Sequence, residues 1–116
     1  MKQTELVFVY GTLREGESNH GLLESSEYLG SCQTLPQFAL FDLGPYPAAI
    51  LGKTAIVGEV YRVDILTMAN LDQLEEYPKL YDRIKTQTPF GSAWIYLYQN
   101  SSELRSVIDS NDWKNR

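Results

Sequence analysis

Among the residues able to carry chemistry, the carboxylates of LDQLEEYP, residues 71–78, have the most informative spacing. At about 100° per residue, with Met68 set at zero, Leu71 falls at about 300°, Leu74 at about 240° and Glu75 at about 340°. Glu75 therefore borders an apolar stripe, Asp72 at about 40° sits at its margin, and Glu76 at about 80° points away. A carboxylate held against an apolar surface loses solvation, so its pKa rises and it can exchange protons near neutral pH. The plainer reading is a residue that edges the core with its carboxylate in water, and the wheel alone does not separate the two.

The stretch VFVYGTLREG, residues 7–16, sets a glycine where a buried strand runs out. The GxxxxGK[ST] spacing of a phosphate loop is absent. What such a turn can supply is backbone N–H groups aimed at a ligand oxygen, because glycine permits dihedrals and close approaches closed to other residues. A glycine that merely ends a strand has the same appearance. Tyr81 and Arg83 alternate on an extended segment, where a hydroxyl and a guanidinium could orient a ligand or simply belong to a polar sheet face. Trp94, Tyr96 and Tyr98 share one face by period two and read as core packing.

His20 is the only histidine and Cys32 the only cysteine. The usual zinc constellations cannot be assembled from them, no intrachain disulfide is available, and a thiol nucleophile would have no recognisable base. NHGLL, residues 19–23, reads as a capped helix start, and burial is the simpler account of Cys32.

The elements that must position these groups follow from periodicity. Residues 6–10 are rich in β-branched and aromatic side chains and predict a central strand. Residues 14–19 predict a loop, 20–28 a short helix, and 33–43, containing Pro36, an irregular or edge strand. LGPYPAAI, residues 43–50, predicts a loop fixed by its glycine and two prolines. Residues 54–63 predict a strand interrupted by Gly58 at a bulge or close approach. Residues 64–76 predict a helix, with Asp64 or Thr67 as its cap and Pro78 as its limit. Residues 83–87 and 93–99 predict strands joined around TPFG, and the polar tail from 101 holds one short helix before Trp113. Too few crossover helices exist to cover a parallel sheet, so an α+β fold with a curved, mostly antiparallel sheet is expected.

At 116 residues the chain predicts one domain, residues 1–116, and its 43% hydrophobic content argues against disorder. A formal net charge of −5 disfavours nucleic-acid binding but permits a pocket for a small anion. The start, MKQTELVFVY, has no signal-peptide pattern, and no apolar run approaches the roughly 18–20 residues that cross a bilayer. A cytoplasmic protein without a membrane partner is the expectation.

Six motifs taken together, YGTLR (10–14), NHGLL (19–23), GPYPA (44–48), GEVYRV (58–63), LDQLEEYPKLYDR (71–83) and AWIYLY (93–98), resemble the gamma-glutamylcyclotransferase-like family, in particular its short bacterial YtfP-type members. The resemblance covers nearly the whole chain. It implies a small mixed, mostly antiparallel β-barrel or strongly curved sheet flanked by helices, with a cavity at one end. It also implies intramolecular cyclisation of a small gamma-glutamyl compound to 5-oxoproline, with no metal or organic cofactor. Carried over by motif, Glu75 is the acid/base, agreeing with the wheel, and Glu76 is a bystander. Tyr10, Gly11, Thr12 and Leu13 hold the glutamyl group, with Tyr81 as a further substrate-binding residue. A monomer or weak homodimer is expected. A domain that binds a small metabolite in the same cavity without turning it over is the alternative.

Overall fold

The computed structural model describes residues 3–116. Its strands are β1 (Thr4–Val9), β2 (Glu27–Gln33), β3 (Phe38–Asp42), β4 (Pro47–Leu51), β5 (Val57–Asp64), β6 (Tyr81–Thr88), β7 (Gly91–Tyr98) and β8 (Ser106–Val107), and one helix, α1, spans Ile65–Leu74. Five strands form a mixed sheet in the order β2-β5-β1-β7-β6, in which only the β1–β7 pairing is parallel. β4, β3 and β8 form a second, antiparallel sheet. The α+β class is as expected. Of the expected barrel or strongly curved sheet flanked by helices, no closed barrel is formed: among the described residues the strands make two open sheets, accompanied by a single α-helix.

β1 occupies the middle of the larger sheet, and its two sets of side chains enter different clusters. Val7 and Val9 join Met68 and Leu71 of α1 with Tyr81 and Tyr96. Phe8 joins Phe38, Leu40, Ile56 and Trp113 on the other side. Burial on both faces explains why this strand reads as an unbroken apolar run rather than an alternating one.

Several local expectations need correction. Residues 33–43 are not one irregular or edge strand: Gln33 ends β2, Pro36 lies in the connection, and β3 is the central strand of the smaller sheet. The 43–50 segment is a loop only in its first half, since Pro47 onward forms β4. Proline is tolerated at that first strand position, where its missing N–H interrupts the ladder least. The helix expected in 20–28 is a 3-10 turn at His20–Leu23, after which β2 begins. The tail holds 3-10 turns at Ser101–Glu103 and Trp113–Asn115 with β8 between them.

Two expectations about β5 and α1 hold. Asp64 caps the helix by accepting the Thr67 amide at 2.8 Å. Gly58 marks a close approach: a Cβ there would run into the Val9 carbonyl oxygen and the Phe8 ring of β1. The register irregularity lies instead in β2, between Tyr28 and Gly30. Among the described residues no helix is long and apolar enough to cross a membrane. Because backbone and a packed ring must both move to admit a methyl group, Gly58→Ala is expected to lower unfolding free energy by about 1–3 kcal/mol, read from the urea midpoint.

Candidate functional site

Beyond Val9 the chain leaves the sheet, and residues 10–13 wrap one side of a cavity of about 160 Å³. The other walls come from Tyr46 and Pro47 at the start of β4, the Leu74–Glu76 turn after α1, Leu80 and Tyr81 entering β6, and Tyr96 of β7. All six residues assigned from the sequence, Tyr10, Gly11, Thr12, Leu13, Glu75 and Tyr81, line this one cavity.

Gly11 has a packing reason. Its Cα meets the Pro47 ring so closely that a Cβ would overlap the Cγ and Cδ atoms of the proline. The contact draws the 10–13 loop against β4. In that loop Gly11 O accepts from the Arg14 amide at 3.0 Å, and Thr12 O from the Asn19 amide at 2.8 Å. The Asn19 side chain also donates to Thr12 Oγ1 at 2.9 Å, and His20 Nδ1 lies 3.0 Å from Leu13 O. The carbonyls are thereby occupied. The amides of Gly11, Thr12 and Leu13 donate to no group among the described residues, so three consecutive N–H groups are left for an oxygen ligand at the cavity wall.

Glu75 stands at the C-terminus of α1, its amide bonded to Leu71 O at 2.9 Å. Its carboxylate is half-buried and accepts no hydrogen bond from the described residues. Burial alone lifts its pKa from the ordinary 4.5 to about 7. Three tyrosines surround it, yet each hydroxyl donates elsewhere: Tyr10 to Tyr96 O at 2.6 Å, Tyr81 to Pro47 O at 2.8 Å, and Tyr96 to Asp72 Oδ1 at 2.7 Å. Burial drives all three pKa values upward, helped by nearby tyrosine and Glu75 charge at Tyr10 and Tyr81 and by the hydrogen bond to Asp72 at Tyr96, so all three hydroxyls stay protonated in the neutral range. The result is a carboxyl group poised to gain or lose a proton, beside hydroxyls that cannot.

The wheel places Glu75 and Asp72 at the edge of the buried stripe, as the structure has them, but not Leu74 or Glu76. α1 stops at Leu74, which is exposed rather than part of the buried stripe. After that point 100° spacing no longer applies, and Glu76, at φ 53°, turns to border the cavity while remaining exposed. Asp72, placed at the margin, is a hub: it accepts Arg83 Nε at 2.9 Å and Nη2 at 3.1 Å as well as the Tyr96 hydroxyl. Arg83 does not share the cavity with Tyr81. Two residues further along β6, its guanidinium lies 4.4 Å from the Tyr77 ring centroid and 4.2 Å from that of Trp94.

His20 and Cys32 also stay outside the cavity, and burial raises the Cys32 thiol pKa. Tyr46, Asn19 and Tyr96 were not singled out from sequence as site residues. Nothing in the period-two pattern of Tyr96 distinguishes a cavity wall from core. Among the described residues no group of three His, Cys, Asp or Glu side chains gathers as metal ligands.

Comparison with known proteins places this geometry in a family. Residues 7–115 match the family described as gamma-glutamyl cyclotransferase, AIG2-like. A Vibrio cholerae protein is 55% identical over 96% of each chain. The Escherichia coli gamma-glutamylcyclotransferase family protein YtfP is 40% identical over 95% of this chain and 96% of its own. The crystal structure of an uncharacterized protein from Pyrococcus horikoshii superposes with a TM-score of 0.83 at 30% identity, covering 95% of this chain and 90% of that one.

The raised Glu75 pKa has a consequence for stability. The folded state holds this proton more tightly than the unfolded chain, so its contribution is fully present below pH 4.5 and is lost as pH rises through about 7. Glu75→Gln is expected to match wild-type stability near pH 4 and to exceed it at pH 8 by on the order of 2 kcal/mol, measured by urea unfolding at both values.

Proposed function

The chain belongs to the gamma-glutamyl cyclotransferase, AIG2-like family, and from that premise we propose that it cyclises a gamma-glutamyl amine or amino acid to 5-oxoproline, with Glu75 as general acid and base. The observation that carries the reading is a half-buried carboxylate without hydrogen-bond partners, with a pKa of about 7, in one cavity with three unengaged amides.

In this reading the amides of Gly11, Thr12 and Leu13 receive the carboxylate of the glutamyl group. Glu75 takes a proton from the α-ammonium, and the freed amine attacks its own γ-carbonyl. A C–N bond forms and charge moves to the oxygen. Glu75 returns its proton to the departing nitrogen as the original amide bond breaks. The α-nitrogen gives up two protons in all, and the released amine leaves as an ammonium ion. Nucleophile and electrophile belong to one molecule, so holding it bent supplies much of the acceleration without a covalent enzyme intermediate. Tyr81, its hydroxyl committed to Pro47 O, serves as a wall for the glutamyl group rather than a proton donor.

A base must be ionised to accept the first proton. The acid limb of kcat/KM is therefore expected to rise with pH through a midpoint near 7, following the free-enzyme pKa of Glu75. Incubation with gamma-glutamyl amino acids, gamma-glutamyl amines, gamma-glutamyl-lysine and glutathione, followed by chromatography for 5-oxoproline, is expected to yield product from at least one compound. Glu75→Gln should reduce that turnover by about 100-fold or more with the fold intact. Near-normal turnover by the variant would remove Glu75 from this role. Stoichiometric binding with no product from any compound would favour a binding domain.

A further inference from the structure

The residues just after the three unengaged amides are tied to elements remote in sequence. Arg14 is only 6% exposed and lies outside the cavity lining. It donates from Nε to Glu59 Oε2 at 2.9 Å, on β5, and from Nη1 to Asp112 Oδ1 at 2.7 Å. The other Glu59 oxygen accepts the Glu15 amide and the Tyr61 hydroxyl, each at 2.9 Å. Asp112 Oδ1 also accepts the Lys114 amide at 3.0 Å. Trp113 Nε1 donates to Glu17 Oε1 at 2.8 Å, and Lys114 Nζ donates to Glu15 O. Residues 112–114 thus grip the loop at three points, about a hundred positions away in sequence.

Burying Glu59 opposes its ionisation, but the donors from Glu15, Arg14 and Tyr61 outweigh that and hold its pKa below the ordinary range. Charges removed from water in this way are a costly means of gaining stability, and an apolar contact of similar volume commonly does as well. What charge-assisted hydrogen bonds add is direction. Here the direction they impose is that of the backbone at Arg14 and Glu15, immediately after Leu13.

We propose that Asp112, acting through Arg14 and together with Glu59, is a positioning residue that fixes the 11–13 amides in the orientation that receives the substrate. This rests on the cyclotransferase reading. Neither carboxylate reaches the cavity, so the expected signature is in binding rather than in proton transfer. Amides that hold the glutamyl group equally in ground state and transition state affect KM and leave kcat alone.

The test compares wild type, Asp112→Ala and Asp112→Asn in steady-state 5-oxoproline formation and in calorimetric binding of 5-oxoproline itself. Asp112→Ala is expected to raise KM and weaken 5-oxoproline binding by about tenfold or more, with kcat within about threefold and its pH midpoint unmoved. Asp112→Asn keeps an acceptor for Arg14 and the Lys114 amide, and should recover most of that loss. A variant that is only less stable has fewer active molecules, which lowers apparent kcat at constant KM; that pattern overturns the proposal. Should Asp112→Ala fail to fold, Lys114→Met, which removes the exposed Nζ donor to Glu15 O and leaves the core untouched, decides: KM rising about threefold supports the strap and unchanged KM overturns it. Wild type that neither forms nor binds 5-oxoproline rejects the cyclotransferase reading and this inference with it, whereas active wild type with unchanged KM in Asp112→Ala rejects the inference alone.

Discussion

The structure is organised around a strand whose second half, Val7 to Val9, has no solvent face. β1 lies between β5 and β7 and is covered on one side by α1 and on the other by the cluster around Phe38, Leu40 and Trp113. Its backbone groups are satisfied by neighbouring strands until Val9, and there the pairing ends. The chain emerges into the protein interior rather than into water. Its next amides, at Gly11, Thr12 and Leu13, find no acceptor among the described residues, and these three residues line the cavity. The Gly11–Pro47 contact closes the turn against β4, so the smaller sheet and the loop define the wall jointly.

The same packing determines the electrostatics. Tyr10, Tyr81 and Tyr96 could each have donated to Glu75 and depressed its pKa, but each hydroxyl is spent on a carbonyl or on Asp72. Desolvation then acts unopposed, and the carboxyl moves into the neutral range. Glu59 makes the contrast. It is only 4% exposed, yet it has an arginine, an amide and a hydroxyl as donors and stays below the ordinary range. Burial pushes both carboxyls upward, and the donors that only Glu59 has bring it back down.

Much of the site was legible because its residues sit where local rules are strong. The run through Val9 followed by Gly11, the helical spacing that brings Glu75 to the side of Met68 and Leu71, and the proline at 78 are short-range signals. The motifs in their order extended those signals to a family. The misses have local causes as well. Pro47 reads as loop because proline is rare inside strands, but it begins β4 instead. Glu76 reads as pointing away because the wheel continues two residues past the real end of the helix at Leu74. Arg83 was grouped with Tyr81 by period two, which reports a face of the strand and not how far the cavity extends along it.

By itself the sequence determined the class of fold, the lack of an intrachain disulfide in a chain with one cysteine, and the place of Glu75 beside the apolar stripe, because composition and near-neighbour spacing act through propensity and burial. Tertiary structure decided the remainder: that eight strands divide into two open sheets, that three tyrosines withhold their protons from Glu75, and that Arg14 joins Glu59 to Asp112. Each of those depends on groups from segments tens of residues apart arriving with hydrogen-bonding geometry. That directional requirement has no periodicity along the chain from which it could be read.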